Sequence, residues 1–250
     1  MKMTMSNILQ RLCKIACSRK KPEGIKITYA LPKSNIFSKY YNKDIEFKDV
    51  NWSDWNIVVD GFKSRIIGWY FEPLSVFPST GHEAYPVLCA MCALIDVFTH
   101  YDFEKDWHEP RHYKEFLRKL DSIFRTKLQN QISTSRLVSR GWEMGVLKDF
   151  ADVFYTGVRC SLHHHGDLAP FAGMSAGHKI AWENCNAGMS VCKKFSYSQV
   201  VFDPWRLRDA LDSWFNNYCQ YLKEKPHSNR AKSFRNRFTL DFGITINEPI

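Results

Sequence analysis

No export or anchoring segment is expected from this sequence. Met1 to Lys21 offers only short apolar pieces, Ile8-Leu9, Leu12 and Ile15-Ala16, interrupted by Arg11, Lys14 and Arg19-Lys20-Lys21, which is too polar for a signal core or an anchor. Long uncharged apolar runs are missing too: only Ala84 to Tyr101 approaches the roughly 18 residues of a bilayer span, and it carries an acid, Asp96. There is no internal repeat and no low-complexity tract, so solenoid and disordered readings are set aside. Without a secretory signal, and in a chain long enough to need no staples, the eight cysteines (Cys13, Cys17, Cys89, Cys92, Cys160, Cys185, Cys192, Cys219) are expected to be reduced thiols of a cytoplasmic protein with no membrane role.

What is present is an apolar fraction of 44% over 250 residues, enough for one large domain or a domain with an appendage. The net charge of +9 suits a polyanionic partner, since each Lys or Arg near a phosphate releases condensed counterions; simple solubility charge is the alternative. Residues 6 to 18 pattern as a short basic amphipathic helix and Gly24 to Leu31 as a strand. Residues 1–60 as a whole read as an irregular accessory arm with one short strand around Trp55 to Val59. A helix follows from Phe62 to Phe77. Ala84 to Tyr101 is apolar on every face, the mark of a helix enclosed by others. A third helix is expected over 111–131, basic on its outer face, and a fourth carries Leu147, Phe150, Phe154, Val158 and Leu162 to a left-handed cap at Gly166. His178 to Trp182 and Ser196 to Phe202 read as short strands, and Asp203-Pro204 opens a fifth helix, Trp205 to Lys223. The tail, 225–250, holds Lys225, Arg230, Lys232, Arg235 and Arg237, then alternates at Phe238, Leu240, Phe242, Ile244 and Ile246 in the manner of a strand.

The fourth helix ends in Arg159-Cys160-Ser161-Leu162-His163-His164-His165-Gly166-Asp167. Arg159 and His164 form RxxxxH, a spacing that 14 arginines and nine histidines produce by chance about half a time per chain. Context adds weight. The match occurs once, it falls at a helix end, and Asp96 sits in an apolar helix where an ionised carboxylate needs a partner. Arg159, the only basic group between Asp149 and Leu162, is the natural one; a carboxylate at a solvent-facing helix edge is the alternative. On a regular helix His163 lies nearer than His164 to the face of Arg159, whereas fraying at Gly166 brings His164 to the same cleft. Cys160 with the histidines is a zinc-type set, but no second cluster at zinc spacing accompanies it, so no metal is expected.

The run GVRCSLHHHGD, behind an apolar helical stretch, together with the earlier ALIDVF helix, resembles the RxxxxH helix and acidic upstream helix of the HEPN (higher eukaryotes and prokaryotes nucleotide-binding) superfamily. The resemblance spans about residues 62 to 224, with Cys160 where the family commonly carries Asn, Asp or His. It implies a mainly α fold, a HEPN-like bundle of about five core helices over 61–224, with a small β element and an irregular N-terminal arm. It also implies a cofactor-free, metal-independent endoribonuclease, often in toxin or anti-phage systems, acting as a homodimer on RNA and restrained by an antitoxin or sensor protein. Carried over residue by residue, Arg159 and His164 are the expected catalytic pair and Asp96 the orienting acid. Lys225, Arg230, Lys232, Arg235 and Arg237, with the basic third helix, are the expected RNA track; a solvated face is the alternative for such runs. The other class of function compatible with these residues is a catalytically silent helical module that binds RNA or a protein.

Overall fold

The computed structural model describes residues 36–40, 43–46, 50–77, 83–103, 110–133, 146–169, 171–177, 179–184 and 199–247, all within the compact unit Leu31–Ile250. The expected helix at 6–18, the strand at Gly24 to Leu31 and the turn at Gly141 and Gly145 lie outside these residues. The described part is mainly helical, with three small sheets attached. An antiparallel hairpin comes first, β1 (Ile36–Tyr40) with β2 (Lys43–Glu46).

Helix α1 (Trp55–Ile66) opens at Asp54, whose carboxylate accepts from the amides of Asn56 and Ile57 at 2.9 and 3.2 Å. Trp55, Val58, Val59, Phe62 and Ile66 are its buried stripe. The expected strand around Trp55 to Val59 is therefore a helix, and the bundle begins before residue 61. β-branched Ile57, Val58 and Val59 favour a strand by propensity, but the Asp54 cap and the burial of one helical face outweigh that. The helix continues through a π segment, Ile67–Phe71, into α2 (Glu72–Ser75).

α3 (Ala84–Phe103) is the enclosed helix the sequence leads one to expect: Val87, Leu88, Met91, Cys92, Leu94 and Ile95 have no exposed surface. It is long and apolar enough to cross a bilayer, but more than half of it is buried within the bundle. Phe98 stacks on Phe215 with centroids 5.0 Å apart, and Trp214 lies 5.1 Å from it. α4 (Pro110–Leu120) is shorter than the 111–131 helix expected. Asp121 turns the backbone extended and accepts from Ile123 N at 2.8 Å, giving a 3₁₀ turn (Ser122–Arg125) and then β3 (Lys127–Ser133). β3 pairs antiparallel with β4 (Val146–Asp149), so Leu147 sits in a strand and the next helix starts at Phe150.

That helix has three consecutive parts: α5 (Phe150–Val153), a π segment (Phe154–Cys160) and α6 (Ser161–His165). Gly166 closes it at φ 69°, in the left-handed conformation expected, with its amide on Leu162 O at 3.2 Å. The third sheet has the order β5-β7-β6: β7 (Gln199–Phe202) is parallel to β5 (Ala172–Met174) and antiparallel to β6 (Ala181–Asn184), near the two expected strands. α7 (Pro204–Glu224) follows the Asp203 cap as anticipated.

The tail contradicts the expected C-terminal strand. It forms α8 (Asn229–Phe242), capped by Ser228 and ended by Gly243 at φ 68°. The alternation at Phe238, Leu240 and Phe242 is real in the sequence, but Ala231, Phe234 and Phe238 are the buried set, at helical spacing, and Leu240 is 54% exposed. The Phe234 ring meets Phe62 at 5.1 Å and Tyr101 at 5.3 Å, which makes α8 part of the bundle core.

Candidate active site at the arginine–histidine helix

The site helix is held from its first turn. Asp149 caps it, accepting from Asp152 N at 2.9 Å, and Arg118 of α4 donates from Nε to Asp149 at 2.9 Å. Lys114 Nζ lies 2.9 Å from Asp152 Oδ1. The basic face of α4, expected to track RNA, thus places Lys114 and Arg118 against the acids that start the site helix. At Gly157 the helix accepts the close approach of the following chain: Ala169 N donates to Gly157 O at 2.9 Å, and a Cβ on Gly157 would come 2.6 Å from the Phe171 ring.

Arg159 projects from the π segment toward α3. Its Nη2 donates to Asp96 Oδ2 at 3.3 Å, and the two side chains are 8% and 13% exposed. The acid that the sequence left isolated in an apolar helix has the partner expected for it. Burial works against the charge on Arg159, but the Asp96 carboxylate more than offsets it, so the guanidinium is held above its ordinary range and stays protonated. Its Nε is buried and finds no hydrogen-bond partner among the described residues. Cys92 and Tyr113 lie beside this pair, and burial pushes both the thiol and the phenol well above their usual values.

Of the histidines, His163 reaches the pair: its Nε2 is 4.0 Å from the same Asp96 oxygen that Arg159 contacts, and its side chain is 14% exposed. His164 lies on the exposed side of the helix end. The structure therefore brings together Asp96, Arg159 and His163, with His164 adjacent at the surface. This is the arrangement that helical geometry favours over the motif spacing. Among the described residues no three His, Cys, Asp or Glu side chains converge as a metal ion would need.

The tail cations are distributed differently. Arg230 pairs with Asp102, whose side chain is 4% exposed, and lies 5.0 Å from the Tyr218 ring centroid; Arg235, buried, donates to Pro226 O at 2.8 Å; Arg237 pairs with Asp241 at 2.6 Å. All three arginines serve the attachment or the local order of α8. Lys225 and Lys232 are exposed.

Two residues of the site region were not singled out from sequence, Tyr85 and Asp167, whose side chains meet at 2.6 Å. A signal existed for Tyr85 alone: it precedes Asp96 by eleven residues, about three turns, and so shares its face of an otherwise apolar helix. The fold and site together describe a mainly helical bundle with a buried Arg–Asp pair beside histidines. Comparison with family models, curated proteins and solved structures finds no match to this chain.

Proposed function

We propose that this chain is a metal-independent endoribonuclease of HEPN type, serving in toxin or anti-phage defence and working as a homodimer in the cytoplasm. The observation that carries the reading is the Asp96-held guanidinium of Arg159 next to two histidines at one helix end. A carboxylate that fixes the guanidinium orients it for a phosphate, and imidazole titrates near neutrality, so the two groups suit phosphodiester transesterification. One imidazole takes the proton of an RNA 2′-hydroxyl as its oxygen attacks the adjacent phosphorus. Arg159 stabilises charge on the non-bridging oxygens. The bond to the 5′-oxygen breaks, a protonated imidazole supplies that oxygen's proton, and the products are a 2′,3′-cyclic phosphate and a 5′-hydroxyl. His164 is the motif histidine for this role, and a second copy of the chain supplies the second set of groups. Exposed Lys225 and Lys232 are suited to backbone phosphates. An antitoxin or sensor protein is the regulatory partner such a system requires.

The low exposure of Arg159 favours one other reading, a silent module that binds RNA or a protein without cutting it. Incubation of the protein with total RNA in excess chelator separates the two. Cleavage that survives chelation and is lost in both Arg159→Ala and His164→Ala supports the ribonuclease; binding without turnover supports the module. Loss in His163→Ala with activity retained in His164→Ala transfers the acid–base role to His163. A sedimentation measurement giving a fully active monomer rules out the shared cleft.

A further inference from the structure

We propose that Tyr85 is a positioning residue for the histidine segment, fastening it to α3 through Asp167. This deepens the ribonuclease reading and rests on it for its effect on turnover. The histidines occupy the last turn of the site helix, and beyond them the chain reverses at Gly166. Asp167 Oδ1 then accepts from Tyr85 Oη at 2.6 Å and from Leu168 N at 2.7 Å. Two residues on, Ala169 N returns to Gly157 O. The Gly157 tie is internal to the site helix and its own continuation. The Tyr85 tie reaches a different part of the chain, and that part is the helix that carries Asp96.

Tyr85 precedes Asp96 by 11 residues, about three helical turns and roughly 16 Å along the same face. Later residues of the site helix meet earlier residues of α3: Arg159 and His163 at Asp96, Asp167 at Tyr85. The histidine turn is thereby spanned between two fixed points of one rigid helix. The phenol is suited to this, because partial burial and the Asp167 carboxylate push its pKa up to about 12, so it remains a donor at every pH at which RNA is handled.

The test uses the whole 250-residue chain with a fluorescent single-stranded RNA. Tyr85→Phe, which keeps the ring and removes the donor, is expected to lower kcat about tenfold with KM within about twofold, since misplacement of reacting groups acts on the chemical step. Asp167→Ala is expected to match it. Asp167→Asn, whose amide oxygen still accepts from the phenol, is expected to retain most of the rate. Imidazole nitrogen–proton correlation spectra supply a readout that does not depend on cleavage: the His163 and His164 signals are expected to move in Tyr85→Phe and Asp167→Ala and to stay in Asp167→Asn. Unmoved imidazole signals in Tyr85→Phe overturn the proposal, as does a Tyr85→Phe rate equal to that of the unaltered protein. If the unaltered protein cuts no RNA, the ribonuclease reading fails alone, and the imidazole spectra still decide whether Tyr85 positions the histidines.

Discussion

Replacing Asp96 by Asn removes the charge that holds Arg159 and keeps the shape of the side chain. Breaking a buried pair by deleting one charge costs about 3–5 kcal/mol, whereas an exposed pair is worth about 0–1 kcal/mol. The Arg159–Asp96 pair belongs near the buried end, with side chains 8% and 13% exposed, but it is made through a single contact at 3.3 Å. Asn retains an acceptor for that contact. The expected loss is therefore about 2 kcal/mol, which for a chain of this size lowers the melting temperature by about 4–8 °C. The raised Arg159 pKa sets the pH behaviour: a folded-state pKa above the unfolded one contributes stability that is fully present below the unfolded value and is lost only in strong alkali. Arg159 titration thus leaves the difference between Asp96→Asn and the unaltered protein unchanged across the neutral range. Urea unfolding followed by circular dichroism measures the cost. A cycle with Arg159→Met isolates the coupling, expected at about 1.5–2 kcal/mol because the double variant no longer buries a lone charge. An Asp96→Asn protein within about 0.5 kcal/mol of the original, with coupling near zero, refutes the account of this pair as a buried, mutually dependent unit.

Gly157→Ala is expected to destabilise by about 1–2 kcal/mol, since overpacking costs about 1–3 kcal/mol and the helical preference of Ala returns up to about 1; the clash is with Phe171 at 2.6 Å, and a neutral or stabilising result in chemical denaturation contradicts it. Phe234→Ala, at a position with no exposed surface, is expected to cost about 3–5 kcal/mol. A change under about 1 kcal/mol in urea unfolding speaks against α8 as part of the core. Cys92 and Cys219 are expected to resist iodoacetamide at pH 8 in the native protein, read site by site by peptide mass mapping, because burial disfavours both thiolates and pushes Cys219 to about 12. The buried Cys219 thiol contributes stability that is fully present below the ordinary thiol range and is lost as pH rises toward about 12. Rapid native-state labelling of Cys219 refutes its burial.

The elements legible in sequence were those whose local signals and burial agree. α3 is apolar on all faces and is enclosed; α7 has Asp203, Pro204 and one long apolar stripe; Gly166 stands where only a left-handed residue fits. The failures share a cause. Trp55–Val59 and Phe238–Phe242 each carry a short stretch that favours a strand, while the residues that decide the outcome, Phe62 and Phe234, lie outside it and meet each other across the bundle. The same holds at the site. The Asp96–Arg159 pair was inferable because an acid in an apolar helix demands a cation, whereas Tyr85–Asp167 joins two residues that are unexceptional in their own segments. The tail arginines read as a polyanion track because charge is visible in sequence, whereas Asp102 is identifiable as a partner only in the folded chain and Asp241 only once the tail is a helix.

The π segment Phe154–Cys160 closes its backbone hydrogen bonds over five residues where an α-helix uses four. It therefore holds spare length. Loss of one residue there, such as Thr156, lets the ladder tighten to four and leaves α6 in place, whereas loss of one residue within α3 turns everything beyond it by about 100°. The count of residues between Phe150 and Arg159 is accordingly a loose constraint in this chain. The bearing of the histidine turn is set by what grips it at Asp96 and Asp167, and the chain ahead of Arg159 is at liberty to shorten by a residue.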